Sequence, residues 1–271
     1  MKRSTKIEIL KGVFAIMILA VTLFPIYWMV VTSLEPWELV LVWPPSFIPK
    51  QLTLEYWEWA GSRFTLPLRN SLIIAGITTI LSVALGLPAG YSFARFRVGR
   101  RTLPFWILSL RFLPGIVPCV AFYILFRMLN ILDTHLAVII AHTLITLPFS
   151  IWMFKVFIEA LPRELEEAAL IDGCTYYQVV RRIVLPLTLP SIVVVALFSF
   201  TWSWNEFMMA LILTKSQAYT LPVMIAGFRG AGMIWGGVSA GALLSLIPAI
   251  ILTVFFQRYL VSGLTMGAVK G

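Results

Sequence analysis

Charge is scarce in this chain, so the places where it gathers are the places to look for chemistry. Five of the twelve acidic residues (Glu159, Glu164, Glu166, Glu167 and Asp172) fall in one run, Glu159 to Pro186, reading EALPRELEEAALIDGCTYYQVVRRIVLP. Two other places hold reactive groups. Arg111 is a cation inside an apolar stretch, and Phe200 to Phe207, FTWSWNEF, mixes aromatics with an amide and a carboxylate. Aromatic faces stack on sugar rings while amides and carboxylates bond hydroxyls, so Trp202, Trp204, Asn205 and Glu206 suit a cavity lining. The same run suits an aromatic belt near a helix end. Catalysis finds less support. Serine, histidine and acidic residues form no triad pattern, and no Cys/His spacing suits a metal. No GxxxxGK[ST] is present to cradle nucleotide phosphates. His135 reads as a loop residue and His142 as a helix-packing residue.

The elements that must carry these groups are membrane helices. Hydrophobic residues are 60% of the 271, charged residues are 12%, and mean hydropathy is +0.93. A soluble domain runs at roughly a quarter charged, so this is a polytopic membrane protein. Six spans are expected, at about 12–33, 71–94, 103–125, 136–157, 187–213 and 240–260. Pro25 kinks the first. Between the first two, Pro36, Pro44, Pro45 and Pro49 argue against a long helix, and Tyr56, Trp57 and Trp59 suit a segment lying in the interface. The first apolar run, about 20 residues, is too long for the apolar core of a signal peptide. Cys119 and Cys174 give no disulfide framework.

Orientation follows from counting. With the N-terminus inside, the inner segments carry fourteen Lys and Arg residues against six in the outer ones. That excess puts both termini and the acidic run in the cytoplasm. The net charge of +9 lies at the ends of spans, which points to topology and anionic membrane lipid rather than nucleic acid. Arg111 lies eight residues beyond Leu103, about 12 Å at helical rise, too deep to reach the interface easily. It needs either a structural partner, for which Glu206 is the one deep carboxylate, or a place lining a cavity.

The acidic run reads as helix, break, helix. Pro162 suits a first helical position, and Glu164, Glu166 and Glu167 favour the positive end of the helix dipole. Asp172-Gly173 stops the helix, with Gly173 at positive φ, and Thr175 caps a second one that ends at Pro186. Two short helices about a glycine form a docking knob for a cytoplasmic partner, or an ordinary polar loop.

Glu167-Ala168-Ala169, three residues, Gly173, nine residues, then Ile183-x-Leu185-Pro186 resembles the EAA motif of binding-protein-dependent ABC importer permeases. Every fixed position is present at its usual spacing. The resemblance implies an all-α, six-span MetI-like bundle whose first short helix is a coupling helix seated in a cleft of an ATPase subunit. Trp204-Asn205-Glu206-Phe207, followed by Thr220 to Val223, is similar to the maltose-type sugar branch. Gly230 to Gly237 falls where that branch has an outer loop reaching toward the binding protein. Gly263 to Gly271 is similar to the tail of the branch's second permease, which lies along the ATPase dimer interface. One departure is Phe96 to Arg100, which lacks the Pro-Gly of many relatives.

The resemblance further implies a transport subunit without an active site, importing a di- or oligosaccharide by alternating access in the cell inner membrane. Its partners are a related second permease, two ATPase subunits that bind ATP and Mg, and an extracytoplasmic sugar-binding protein. The segments are a cytoplasmic N-tail 1–11, a permease domain 12–263 with a coupling loop 159–186, and a cytoplasmic C-tail 264–271. Rival readings are an importer permease for another small solute, such as glycerol phosphate, and an ion-driven secondary transporter.

Overall fold

The computed structural model describes residues 2–100, 102–227 and 234–265, with side chains at 8–100, 102–227 and 235–257. Among them every regular element is helical. In chain order these are α1 (Lys2–Leu34), α2 (Trp37–Val40), α3 (Glu55–Arg95), α4 (Thr102–Ser109), α5 (Ile116–Met128) and α6 (His135–Glu159). Then come α7 (Glu164–Ile171), α8 (Tyr176–Val179), α9 (Leu185–Leu187), α10 (Leu189–Asn205), α11 (Met208–Leu213), α12 (Leu221–Gly227) and α13 (Ile234–Thr265). A 3-10 turn, Leu110–Phe112, follows α4, and a π turn, Val180–Val184, joins α8 to α9.

Four of the described helices are long and apolar enough to cross a membrane, and two bent pairs bring the total to six if each is one span. The first pair covers the third expected span, and the second joins the end of the acidic run to the fifth. Thr102–Phe112 meets Ile116–Met128 at 90°, and Tyr176–Leu187 meets Leu189–Asn205 at 74°. Prolines account for both breaks. Pro114 and Pro118 each lack the N–H that would extend a helix from α4 into α5. Pro186 cannot donate to the carbonyl of Arg182, nor Pro190 to that of Pro186. The helix accordingly widens into its π turn just before Pro186 and breaks at Thr188.

Four further elements differ in their bounds from those read off hydropathy. Helix α3 has 41 residues and starts at Glu55 rather than at 71, so Tyr56, Trp57 and Trp59 sit in its first turns rather than in a separate interfacial segment. The prolines at 36, 44, 45 and 49 all precede it and keep 41–54 irregular. Helix α1 starts at Lys2 rather than 12, and α13 covers Ile234–Thr265 rather than 240–260. The fifth apolar stretch ends at Asn205, with α11 a separate helix.

The chain divides into two compact units. One takes in the chain as far as Leu66, together with Met224–Ile247. Its polar knot is Glu35, buried to 3%, which accepts from Ser46 Oγ at 3.1 Å and from the Lys50 amide at 3.3 Å. Trp59 and Phe64 of α3 meet edge to face at 5.6 Å, and Phe64 is fully buried.

The second unit begins at Pro67, runs to Val223, and resumes at Pro248. Helix α6 is its axis. Toward the start of α6, Ala137, Val138 and Ala141 pack with Ile74, Cys119, Phe126, Met209 and Leu213. Toward its end, Phe154 and Ile158 pack with Tyr91, Ala94, Val179, Val184 and Val195. Helix α3 approaches α6 through Gly86-x-x-x-Gly90. A Cβ at Gly86 would fall 2.9 Å from Ser150 Cβ, and one at Gly90 would fall 2.6 Å from Phe154 Cβ and 2.9 Å from the Lys155 nitrogen. Small residues at this spacing let membrane helices touch along their backbones. Ser82 and Thr146 bond across the seam at 2.6 Å.

At the α5–α6 turn, Asp133 clamps the segment after α11. Its carboxylate accepts from the amides of Lys215, Ser216, Gln217 and Ala218 at 2.9–3.2 Å. Desolvation by burial favours the neutral acid, yet these four amides outweigh it and hold the Asp133 pKa at about 2, below its ordinary 3.8. A depressed carboxyl stabilises the fold fully above 3.8 and loses that contribution as pH falls toward 2. Asp133→Asn, which also tolerates the residue's positive φ of 59°, should therefore lower the thermal midpoint at pH 6. The gap to wild type should close between pH 4 and 2. A gap that persists at pH 2 would show that the clamp works through something other than charge.

Candidate functional site

The acidic run folds into the helix–glycine–helix unit that its residues encode. Helix α7 carries Glu164, Glu166 and Glu167 in its first turn, with Arg163 before it and Pro162 one position earlier, outside the helix rather than at its first position. Its end is a Schellman motif. The Cys174 amide donates to the Ala169 carbonyl at 3.0 Å and the Gly173 amide to Leu170 at 3.1 Å, with Gly173 at φ +85°. Thr175 then caps α8 in a full capping box with Gln178.

What the sequence did not single out is Glu166. Its side chain is 9% exposed and sits 2.6 Å from Nη2 of Arg95, itself 8% exposed. Arg95 Nε also donates to it at 2.7 Å, and the Tyr91 hydroxyl donates at 2.9 Å. Arg95 reaches on to the Leu161 carbonyl, and Arg163 donates to that of Ala94. Ala169 is buried with Val179 and Val184 in the cluster around Phe154 and Ile158. The unit is therefore bolted to the ends of α3 and α6. One residue of the Glu-Ala-Ala triplet faces inward, while Glu167 and Ala168 are exposed, as are Leu165, Ile171, Tyr176 and Tyr177. Ile183 is half-buried against the same cluster, and Leu185 and Pro186 form the start of α9. Two spans, α3 and α6, thus pack directly against this stretch. The signal was available, since an arginine at the end of one span faces a helix holding three glutamates.

A second cluster gathers the other singled-out groups. Arg111 lies in the 3-10 turn at the bend between α4 and α5, rather than midway along a straight span. Its Nη1 donates to the Ile145 carbonyl at 3.2 Å, and its guanidinium lies 5.3 Å from the Phe149 ring centre and 5.5 Å from that of Trp202. Glu206 is not its partner. That carboxylate meets His142 Nε2 at 3.1 Å and accepts from the amides of Met209 and Ala210, so it caps α11. His142 is fully buried, with Nδ1 2.8 Å from Ser203 Oγ, and its ring contacts Trp202 edge-on at 5.7 Å. Trp204 is 2% exposed and stacks on Phe200, whereas Asn205, the last residue of α10, is exposed with its amide on the Thr201 carbonyl. The structure thus joins Arg111 to Trp202, Trp202 to His142 and His142 to Glu206, and leaves Asn205 exposed at the end of α10. His135 opens α6 and bonds Asn70 at 2.8 Å. Asn70 in turn donates to the carbonyls of Gln217 and Tyr219.

Residues 82–266 match the family described as binding-protein-dependent transport system inner membrane component. The chain belongs to that family. This stretch contains the α7–α8 unit and the Arg111 cluster. The permease DasC of a diacetylchitobiose uptake system in Streptomyces coelicolor is 34% identical over 276 residues, covering 100% of both chains. The trehalose/maltose transport system permease MalG of Thermococcus litoralis is 36% identical, covering 97% of this chain and 99% of its own. Among solved structures, a chain of a bacterial ABC transporter that imports alginate superposes with a TM-score of 0.80. It is 21% identical and covers 96% of this chain and 98% of its own, which establishes the MetI-like permease fold. Members of the family are multi-pass membrane components of transport systems. Two features read from the permease pattern lie outside the described residues: 230–233 of the outer loop and 266–271 of the tail.

Proposed function

We propose that this chain is a transmembrane subunit of an ATP-driven importer, and that it passes a di- or oligosaccharide from an extracytoplasmic binding protein into the cytoplasm. The relatives named for diacetylchitobiose and for trehalose/maltose support a sugar as cargo. The observation that carries the mechanism is the anchored α7–α8 unit. Its inner face is fixed by Glu166, Ala169 and Val179, and its outer face is free at Glu167, Ala168, Ile171 and Tyr177. A flexible loop would absorb a push, whereas a unit bolted to two spans transmits it.

Two ATPase subunits bind ATP and Mg, and a related second permease completes the pathway. Closure of the ATPases drives the coupling unit, the attached spans rotate, and hydrolysis resets them. Both termini lie in the cytoplasm, on the side of the ATPases, in keeping with the charge asymmetry. Arg111 and Trp202 belong to the solute pathway.

The test uses the complex purified through the permease. Ala168→Trp puts bulk on the exposed face without touching the core. Gly173→Val keeps the surface but forces a β-branched residue to φ +85°, although a Cβ there meets nothing within 4 Å. Both should reach the membrane at normal levels while ATPase recovery and sugar uptake fall at least tenfold. Retained ATPase and uptake in both variants would remove the coupling role. Normal coupling with no uptake of any sugar in a panel would leave the ATPase dock standing and overturn the cargo.

A further inference from the structure

The α4–α6 seam holds a cleft of about 440 Å³ lined by Thr102, Phe105, Trp152 and Lys155. It shares no residue with the coupling unit or with the Arg111 cluster. Lys155 is partly buried, at 14% side-chain exposure, with its ammonium 5.3 Å from the Trp152 ring centre and 2.8 Å from Glu159. Only one of its three N–H donors is thereby used among the described residues. The turn leading into Thr102 carries Arg97 and Arg100, both exposed and in no ion pair among the described residues. Arg95, by contrast, is committed to Glu166. Lys155 in the cleft and Arg97 and Arg100 in the turn that leads to it, less Glu159, carry a formal charge of +2. Beyond it, α4 and the 3-10 turn expose apolar side chains, with Trp106 at 69% and Leu110 at 56%.

We propose that this cleft binds the headgroup of an anionic phospholipid, with its acyl chains laid along the exposed face of α4. A phosphate held between Lys155 and the arginine turn is matched by charge, and basic pockets between the ends of spanning helices suit such headgroups. A soluble phosphate would satisfy the cations but would have no use for the aromatic wall. A zwitterionic lipid would cover the wall but leave the charge excess unmatched. The site lies at the same end of α6 as the coupling unit, since Lys155 directly follows Phe154, which packs in the cluster holding Ala169. The bound lipid would brace α4 against α6 beside the helices that receive the push.

The experiment places a photoreactive residue in the cleft, as Phe105→benzoylphenylalanine, in the assembled complex in nanodiscs of phosphatidylcholine and phosphatidylglycerol. Adducts should form with phosphatidylglycerol in excess of its share of the bilayer. Because a cation near an anionic headgroup is worth roughly a fivefold preference, Arg100→Asn should cut the excess by about that factor. Arg97→Asn with Arg100→Asn should nearly abolish it, and asparagine suits the positive φ both arginines adopt. Lys155→Arg should keep the preference where Lys155→Gln loses it. Three outcomes would overturn the proposal: adducts to polypeptide only, which would make this face a contact with the second permease; equal labelling of both lipids; or a preference that survives removal of all three cations.

Discussion

Glu166→Ala is expected to cost on the order of 3–5 kcal/mol, because it strips the partner from a buried guanidinium and leaves that charge in place. Arg95 has no second carboxylate among the described residues, and at 8% exposure it has little access to water. The Tyr91 hydroxyl also loses its acceptor. Removing both charges should be far milder, since Arg95→Met with Glu166→Leu leaves neither ion uncompensated. A double-mutant cycle on thermal unfolding in detergent separates the pair from its surroundings. Functionally, Glu166→Ala frees the inner face of α7 from α3 while leaving the outward residues unchanged. The ATPase should still be recovered with the complex, while hydrolysis proceeds without sugar uptake. Uncoupled hydrolysis with a retained ATPase is the result that Ala168→Trp should not give. A Glu166→Ala cost below about 1 kcal/mol would place the pair among surface ion pairs and remove the idea of a bolted unit.

The order of importance within the coupling stretch was only half visible from residues. Gly173 and Thr175 were legible because a left-handed glycine and a capping threonine act within a few residues of themselves, and backbone chemistry of that range is written in local sequence. Glu166 and Glu167 are adjacent acids, and nothing local tells them apart. Which one turns inward depends on the phase of α7 against α3, a contact between positions 71 residues apart. The same limit applied to Arg111. Its cost in an apolar stretch was plain, but the one deep carboxylate in the sequence was already taken by a histidine 64 residues away. Hydropathy located all six apolar stretches yet drew the third and fifth as rods. The prolines at 114, 118, 186 and 190 were in view, and proline inside a membrane helix is often only a kink. Paired four residues apart, each removes a donor from the next turn, and here the helix breaks. The Gly86–Gly90 spacing was equally readable as a close helix crossing and is the clearest signal that hydropathy passed over.

Glu206→Ala should be the most damaging change in the membrane interior, and its isostere should separate structure from transport. The carboxylate makes three bonds: one to His142 and two to the first free amides of α11. Deleting it leaves His142 Nε2 and two N–H groups unpaired at a site 9% exposed, which at roughly 1–3 kcal/mol per buried orphan group totals several kcal/mol. Loss of complex from the membrane is the expected result, and by itself it says nothing of sugar. Glu206→Gln differs. Its shape is unchanged and its carbonyl oxygen still accepts from one α11 amide, while its NH2 faces the other, so the fold should lose only about 1–3 kcal/mol where Glu206→Ala loses several. What changes is the field beside Trp202, whose ring meets His142 edge-on at 5.7 Å and has the Arg111 guanidinium 5.5 Å from its centre. If these three groups line the solute path, Glu206→Gln and Trp202→Ala should each shift the KM for uptake at least threefold with normal complex levels and normal basal hydrolysis. Arg111→Lys should do the same, because an ammonium cannot stack on two rings as a guanidinium does. Unaltered uptake kinetics in all three, with the fold intact, would make this cluster the brace that sets the α4–α5 and α10–α11 bends and nothing more.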